Sequence, residues 1–222
     1  YVEMLDATIA RVENEFVITD EQIGLEMDTE ATLKLVREAV KDWNGESASV
    51  EAVTVVLEPE RTAAALSTIT EIMADFVTPM GGDVEQGRGW NVVLGAEKMN
   101  GVVLMPGETF SYNLCLGERT PGNGWRPAAS YVGGDTVDTY GGGICQGSST
   151  LYNCVLQADL KINQRYNHGY ISSYTQPGLD ATVSWGGPNF RFRNNTVDPP
   201  DIDDHRSCHI PDIPTAKSPD FQ

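Results

Sequence analysis

The run Tyr140-Gly-Gly-Gly-Ile-Cys-Gln-Gly-Ser-Ser-Thr-Leu-Tyr152 carries the residue types and spacing best suited to chemistry in this chain. Three consecutive glycines open backbone conformations closed to other residues and allow a ligand close approach. They lead into a helix predicted from Cys145 to about Leu160, which places Cys145 at the helix mouth. Unpaired N–H groups and the positive end of the macrodipole favour an anion there, so a thiol is drawn from about 8.5 toward neutrality and becomes a nucleophile. The same N–H groups suit an oxyanion hole. Cys154 is the contrast: half a turn away and roughly 13 Å along the axis, it cannot pair with Cys145 within one helix and reads as a core residue. From spacing alone, Cys145 reads equally well as a small buried hydrophobe.

A thiol nucleophile needs a base, and the chain has three histidines. His168, in Arg165-Tyr-Asn-His-Gly-Tyr170, follows the Cys145 helix and is the candidate. His205 and His209, with Asp203, Asp204 and Cys208, have the residue types of a metal site without the spacing of one, and no metal or cofactor is expected. Asp180 in GLDATV is the candidate third group. A tight hairpin closed at Pro177-Gly178 would hold it about 20 Å from His168, so contact requires a bulge or a wider loop. Bonding turn N–H groups is the alternative role for Asp180, and a backbone carbonyl the alternative partner for the imidazole. Gly142, Gly143, Gln146, Ser148 and Tyr152 are the candidate substrate-binding residues, with Trp125, Tyr131 and Tyr140 as further pocket candidates. Glu108 is expected to pair with Arg119 or Arg126.

The elements that position these residues point to an α+β chain. Ala7 to Met27 reads as two strands bent at Glu13-Asn14. A helix follows, capped by Thr29 with Thr32, with Leu33, Val36, Val40 and Trp43 on one face and Asn44-Gly45 as its stop. Val50 to Leu57 reads as a strand, giving a small β-β-α-β module over 1–76. Residues 77–89, with four glycines and a proline, read as a linker. Residues 90–196 form a larger, β-rich unit: a helix over 91–100, a short strand over 102–105, the glycine-rich stretch 117–143, the Cys145 helix, and a meander with strands at 165–174, 181–185 and 190–193. Residues 197–222 are a Pro- and Asp-rich tail without periodicity, expected on the surface or partly disordered.

The charge sets limits on function. Fifteen Lys+Arg against 32 Asp+Glu give a net −17, and no basic stripe interleaved with aromatics offsets it, so nucleic-acid binding is excluded. Residues 1–86 carry 19 acidic and 5 basic side chains, whereas 87–222 carry 13 and 10, as expected of two units of different character. Four cysteines in 222 residues are too sparse for a disulfide scaffold. No apolar run is long enough to span a membrane, and an N-terminal anchor ahead of Tyr1 is compatible with the sequence.

PGETFSYN (106–113), GERTPGNGW (117–125), YGGGICQGSSTLYNCVL (140–156), Arg165 with His168, and GLDATV (178–183) together resemble the VanW family over roughly residues 87–196. Gly147 stands where that family commonly has Val, and the chain leaves the pattern after Asn195. Residues Asp6 to Asp28 with the following helix and strand resemble a peptidoglycan-binding module found ahead of VanW domains. The resemblance implies an extracytoplasmic protein of the bacterial cell envelope, anchored or secreted, whose partners are peptidoglycan stem peptides and glycan. It implies an L,D-transpeptidase in which the family's cysteine falls on Cys145 and its histidine on His168. The alternatives are a wall cysteine peptidase or amidase, and a non-catalytic peptidoglycan-binding protein with a structural Cys145.

Overall fold

The computed structural model describes residues 1–196 apart from 13–14, 42, 46, 48, 81–82 and 133, together with the backbone of 208–209. The chain is α+β and forms two compact units, Tyr1–Thr68 and Ile69–Gln222.

In the first unit, β1 (Thr8–Val12) and β2 (Glu15–Thr19) form an antiparallel pair with Thr8 opposite Thr19. The expected two-strand opening contains a third strand, β3 (Gly24–Met27), which pairs antiparallel with β4 (Thr54–Leu57). Asp20-Glu21-Gln22 breaks the pairing between β2 and β3: the Glu21 carboxylate accepts the Ala63 N–H at 2.6 Å at the start of a short helix, α2 (Ala63–Leu66). The helix α1 (Thr29–Lys41) is present, but its cap is Asp28, whose Oδ1 accepts the Ala31 N–H at 2.9 Å. The Thr32 hydroxyl serves a different end, accepting the Val53 N–H at 3.0 Å. Leu33, Val36 and Val40 of α1 face solvent, with none of the helix buried.

The second unit begins with α3 (Gly87–Met99), β5 (Val103–Leu104), β6 (Thr109–Ser111) and α4 (Tyr112–Leu116). The expected linker at 77–89 contains the first turn of α3 and two residues, Thr78 and Pro79, that bond to Gln146. The glycine-rich stretch holds an antiparallel hairpin, β7 (Pro127–Val132) with β8 (Asp135–Tyr140). The helix α5 (Cys145–Gln157) follows, and every residue from Gln146 to Val155 is buried. An antiparallel sheet in the order β6, β10 (Arg191–Arg193), β9 (Lys161–Gln164) closes the unit. Phe192 stands opposite Phe110 across the sheet, their rings 5.1 Å apart, and the core gathers Met99, Tyr112, Trp125, Leu151, Val155 and Phe190 around them. The backbone of Cys208–His209 forms β11 and pairs antiparallel with β5 as a two-stranded sheet; Asp203, Asp204 and His205 lie outside the described residues.

Residues 165–190 form no strand, contrary to the meander expected there. The reason lies in α5, whose small polar side chains bond to the backbone that a neighbouring strand would otherwise engage. Ser148 Oγ donates to Ala181 O at 2.6 Å, the Ala181 N–H donates to Ser149 Oγ at 2.9 Å, and Asn153 Nδ2 donates to Leu179 O at 2.8 Å. Thr182 N–H still donates to Tyr166 O at 2.8 Å, as a paired strand would. The GLDATV segment is thus fixed to a helix rather than to a sheet.

Candidate functional site

The glycine run is required by what surrounds it. Gly141 and Gly143 have φ of 81° and 101°, the left-handed region that L side chains rarely adopt. A Cβ on Gly141 would stand 2.7 Å from Arg119 Cγ, and one on Gly143 would stand 2.5 Å from Arg88 Cγ. A Cβ on Gly142 would collide with the Ala128 carbonyl. Asn91, fully buried on α3, fixes the turn from below: Nδ2 donates to Gly142 O at 3.0 Å and Arg126 O at 2.8 Å, and Oδ1 accepts the Arg126 N–H at 2.9 Å.

This turn delivers Cys145 to the underside of GLDATV. The sulfur lies 3.4 Å from Val183 O, 3.5 Å from Val183 N and 3.7 Å from Thr182 Oγ1. Burial alone would push the thiol up, but the neighbouring His168, the Val183 N–H and the Thr182 hydroxyl outweigh it and hold the thiol below its ordinary value. His168 is raised in turn, first by the neighbouring Cys145, against the opposing effect of burial, and then by Asp180. Both shifts ease proton transfer from the thiol to the imidazole.

Asp180 completes the row. Its Oδ2 lies 2.6 Å from His168 Nδ1 and also accepts the His168 N–H at 2.6 Å, so one carboxylate oxygen fixes both the ring and the backbone of the histidine. Arg165 grips the other side: NH2 to Oδ1 at 3.0 Å, Nε to Asp180 O at 2.6 Å, and NH2 to Gly178 O at 2.9 Å. Burial of Asp180 opposes its charge, yet the bonds from His168 and the Arg165 guanidinium hold the carboxyl below its usual range. The separation of about 20 Å expected of a tight hairpin does not arise, because the wide loop over 165–180 folds back on the Arg165–Asp180 pair. The structure therefore brings together Cys145, His168 and Asp180, with Nδ1 directed at the carboxylate.

The other sequence candidates have scaffold positions. Gln146 is buried, its Nε2 donating to Thr78 Oγ1 and Pro79 O at 2.9 Å each and its Oε1 accepting from Arg88 at 2.5 Å. Ser148 is fully buried on Ala181, and Tyr152 packs edge-on against Phe190 with Arg165 over its face. Trp125 is in the core, while Tyr131 and Tyr140 are exposed on the hairpin. Gly142 and Gly143 shape the turn rather than offer side-chain contacts. Glu108 accepts the Met105 N–H, whereas Arg119 bonds to Asn113 and Gly117 O, and Arg126 lies over Trp90 and bonds to Glu85 O, in place of the pairs expected. The anticipated anion hole is partly spent: Gln146 N–H donates to Gly143 O and Ser148 N–H to Ile144 O.

Two side chains at the site escaped sequence reading. The Tyr174 hydroxyl lies 3.5 Å from His168 Nε2 with its ring edge-on to the imidazole, and burial pushes the phenol up to about 12, so it remains a donor. Arg88 reaches the turn from α3. Neither stands in a pattern that marks it: Tyr174 lies in an irregular segment, and Arg88 in the glycine-containing stretch that reads as a linker. Among the described residues no group of three or more His, Cys, Asp or Glu is placed to hold a metal ion, and no helix is long and apolar enough to cross a membrane.

Over 130 residues the chain is 44% identical to the Bacillus subtilis protein YoaR, uncharacterized, an alignment covering 59% of this chain and 43% of that one. Over 118 residues it is 30% identical to the vancomycin B-type resistance protein VanW of Enterococcus faecalis, covering 50% and 42% respectively. The chain thus matches under half the length of these relatives. No solved structure matches it. The profile of VanW-like proteins matches residues 87–205, from the first turn of α3 through the glycine turn, Cys145, His168 and Asp180, and the chain belongs to the VanW family.

Proposed function

We propose that the second unit is a cysteine acyltransferase of the bacterial cell envelope, an L,D-transpeptidase acting on peptidoglycan stem peptides. The observation that carries this reading is the row Cys145, His168, Asp180, with the thiol lowered, the imidazole raised and the carboxylate 2.6 Å from Nδ1. A nucleophile, a base and an orienting acid in that order are the components of covalent acyl transfer.

The Cys145 thiolate attacks the carbonyl carbon of the third residue of a stem tetrapeptide. As the tetrahedral adduct collapses, the bond to the terminal D-Ala breaks and the His168 imidazolium gives its proton to the departing amine. The product is a thioester. The side-chain amine of a neighbouring stem then attacks that carbonyl, His168 takes its proton, and the thiolate leaves, giving a 3→3 cross-link. Asp180 keeps Nδ1 protonated and Nε2 directed at the reacting atoms throughout. Tyr174, protonated and beside Nε2, is placed to donate to the oxyanion. The first unit, in this reading, holds the enzyme on glycan or stem peptide through neutral groups, since its acidic surface repels anionic wall polymers.

The experiment is mass spectrometry of the wild type and Cys145→Ala incubated with a disaccharide tetrapeptide. Loss of D-Ala, a covalent adduct on the protein and a cross-linked dimer, all absent in the mutant, are expected. Tripeptide release without dimer makes the protein a hydrolase. Unchanged substrate with both proteins overturns the catalytic reading and leaves Cys145 structural.

A further inference from the structure

Two arginines border the glycine turn, and among the described residues neither makes an ion pair with a carboxylate, in a chain with 32 acidic side chains. They differ in what they have left to offer. Arg119 commits its terminal nitrogens to Asn113 and Gly117 O and lies 5.7 and 5.8 Å from the rings of Trp125 and Trp185, so it is a fixed part of the scaffold. Arg88 is half-buried, and its hydrogen bond goes to a neutral amide, Gln146 Oε1, at 2.5 Å. That amide is itself fixed by Thr78 and Pro79, which gives the guanidinium a definite position.

The location is a costly one for a cation. Arg88 lies in the first turn of α3 and its stem packs on Gly143, next to the start of α5, so it faces the positive ends of two helices without a counter-ion. A guanidinium with one donor used retains others in the fork geometry that matches a carboxylate. Gly143 is two residues from Cys145, and the charge of Arg88 acts on Tyr174, whose hydroxyl lies 3.5 Å from His168 Nε2. Arg88 thus stands against the turn that presents Cys145 and is bonded to the residue that follows the cysteine.

We propose that Arg88 is the specificity residue of this site and clamps the free α-carboxylate of the leaving residue, restricting the acyl donor to peptides cut one residue from their C-terminus. The assignment rests on the acyl-transfer reading above. In that step the thiolate forms its bond to the penultimate carbonyl carbon, the C–N bond breaks, the nitrogen takes the His168 proton, and the amino acid leaves with its carboxylate on Arg88.

The test uses two tetrapeptide donors that differ only at the C-terminus, one a free carboxylate and one a carboxamide, with thioester formation followed by mass spectrometry. The wild type is expected to prefer the carboxylate by roughly 10- to 100-fold, the range of a charge-assisted bidentate contact. Arg88→Gln should collapse that ratio toward one, and Arg88→Lys should restore part of it. A purely structural Arg88 slows both donors alike and leaves the ratio in place, which overturns the proposal, as does a wild type indifferent to the two termini. If no thioester forms with either donor, the acyl-transfer reading itself fails and the assignment falls with it.

Discussion

Replacing Asp180 by Asn tests the orienting carboxylate while keeping the side-chain shape. Asp180 serves three donors through two oxygens: the ring and backbone N–H of His168 on Oδ2 and Arg165 on Oδ1. An amide has one acceptor and one donor end, so either Arg165 or His168 meets an N–H in place of an oxygen. A hydrogen bond to a charged group contributes about 1.5–3 kcal/mol, and losing the one that stabilises the imidazolium slows acylation by roughly 10- to 100-fold. Stability falls by about 2 kcal/mol, less than a fully buried pair would lose because the Arg165 side chain is 22% exposed and water takes up part of the charge.

The pH profile gives the sharper result. In the proposed reaction the active form is the thiolate–imidazolium pair. It is lost as pH falls through the lowered value of Cys145 and lost again as pH rises through the raised value of His168, so thioester formation follows a bell. Asp180 is one of the groups that raise His168, and Asp180→Asn must therefore move the basic limb toward lower pH. Single-turnover thioester formation by quenched mass spectrometry from about pH 5 to about pH 10, spanning the ordinary His and Cys values, reads both effects, with circular dichroism to establish folding. A folded variant with the wild-type rate and an unmoved basic limb would refute the orienting role and leave Asp180 as a turn cap.

Iodoacetamide at neutral pH should label Cys145 well ahead of Cys115, whose thiol burial pushes up, and of buried Cys154; peptide mapping after timed quenching checks the order. Tyr174→Phe should reduce the thioester-forming rate while leaving the melting temperature near that of the wild type, because the ring packing is kept and one hydroxyl is lost. Gly142→Ala should destabilise by about 1–3 kcal/mol in chemical denaturation, since the new methyl group meets backbone at Ala128. Gly147→Val places a Cβ 2.7 Å from the Tyr112 hydroxyl, which donates to Ile144 O at 3.0 Å; it should destabilise the wild type more than it destabilises Tyr112→Phe, a coupling that a double-mutant cycle in urea measures.

The local elements were legible wherever one strong pattern governed them. The spacing of apolar residues located α1, and the glycine run before Cys145 located the turn and the start of α5. Sequence reading failed where side chains substitute for backbone pairing. The serines and Asn153 of α5 take up the backbone of 179–181, so a segment with strand composition is held as an irregular ribbon. The Thr29 cap lost to Asp28 for a similar reason, since the competing oxygen is one residue earlier and Thr32 is drawn to Val53. Cys145, His168 and Asp180 were visible because their residue types are rare or chemically marked. Tyr174 and Arg88 were invisible because only the fold places them beside the others.

The same substitution of side chains for backbone explains how a catalytic-type row is held without a sheet beneath it. In GLDATV, Asp180 turns outward to His168 and Arg165, Ala181 is fully buried on Ser148 and Ser149, and Val183 meets the Cys145 sulfur through both its N–H and its carbonyl. The ribbon thus carries the carboxylate on one side and contacts the thiol on the other, and the serines of α5 set the distance between them. Because those serines belong to the helix that begins at Cys145, nucleophile and orienting acid are referenced to one rigid element. Loosening that element, for example by Ser149→Ala, removes the acceptor for the Ala181 N–H and leaves a buried donor unsatisfied at about 1–3 kcal/mol. The ribbon then shifts Asp180 and the Val183 contacts together, so thioester formation should fall further than the loss of stability alone accounts for, and equal losses in both would show that the ribbon is held by packing instead.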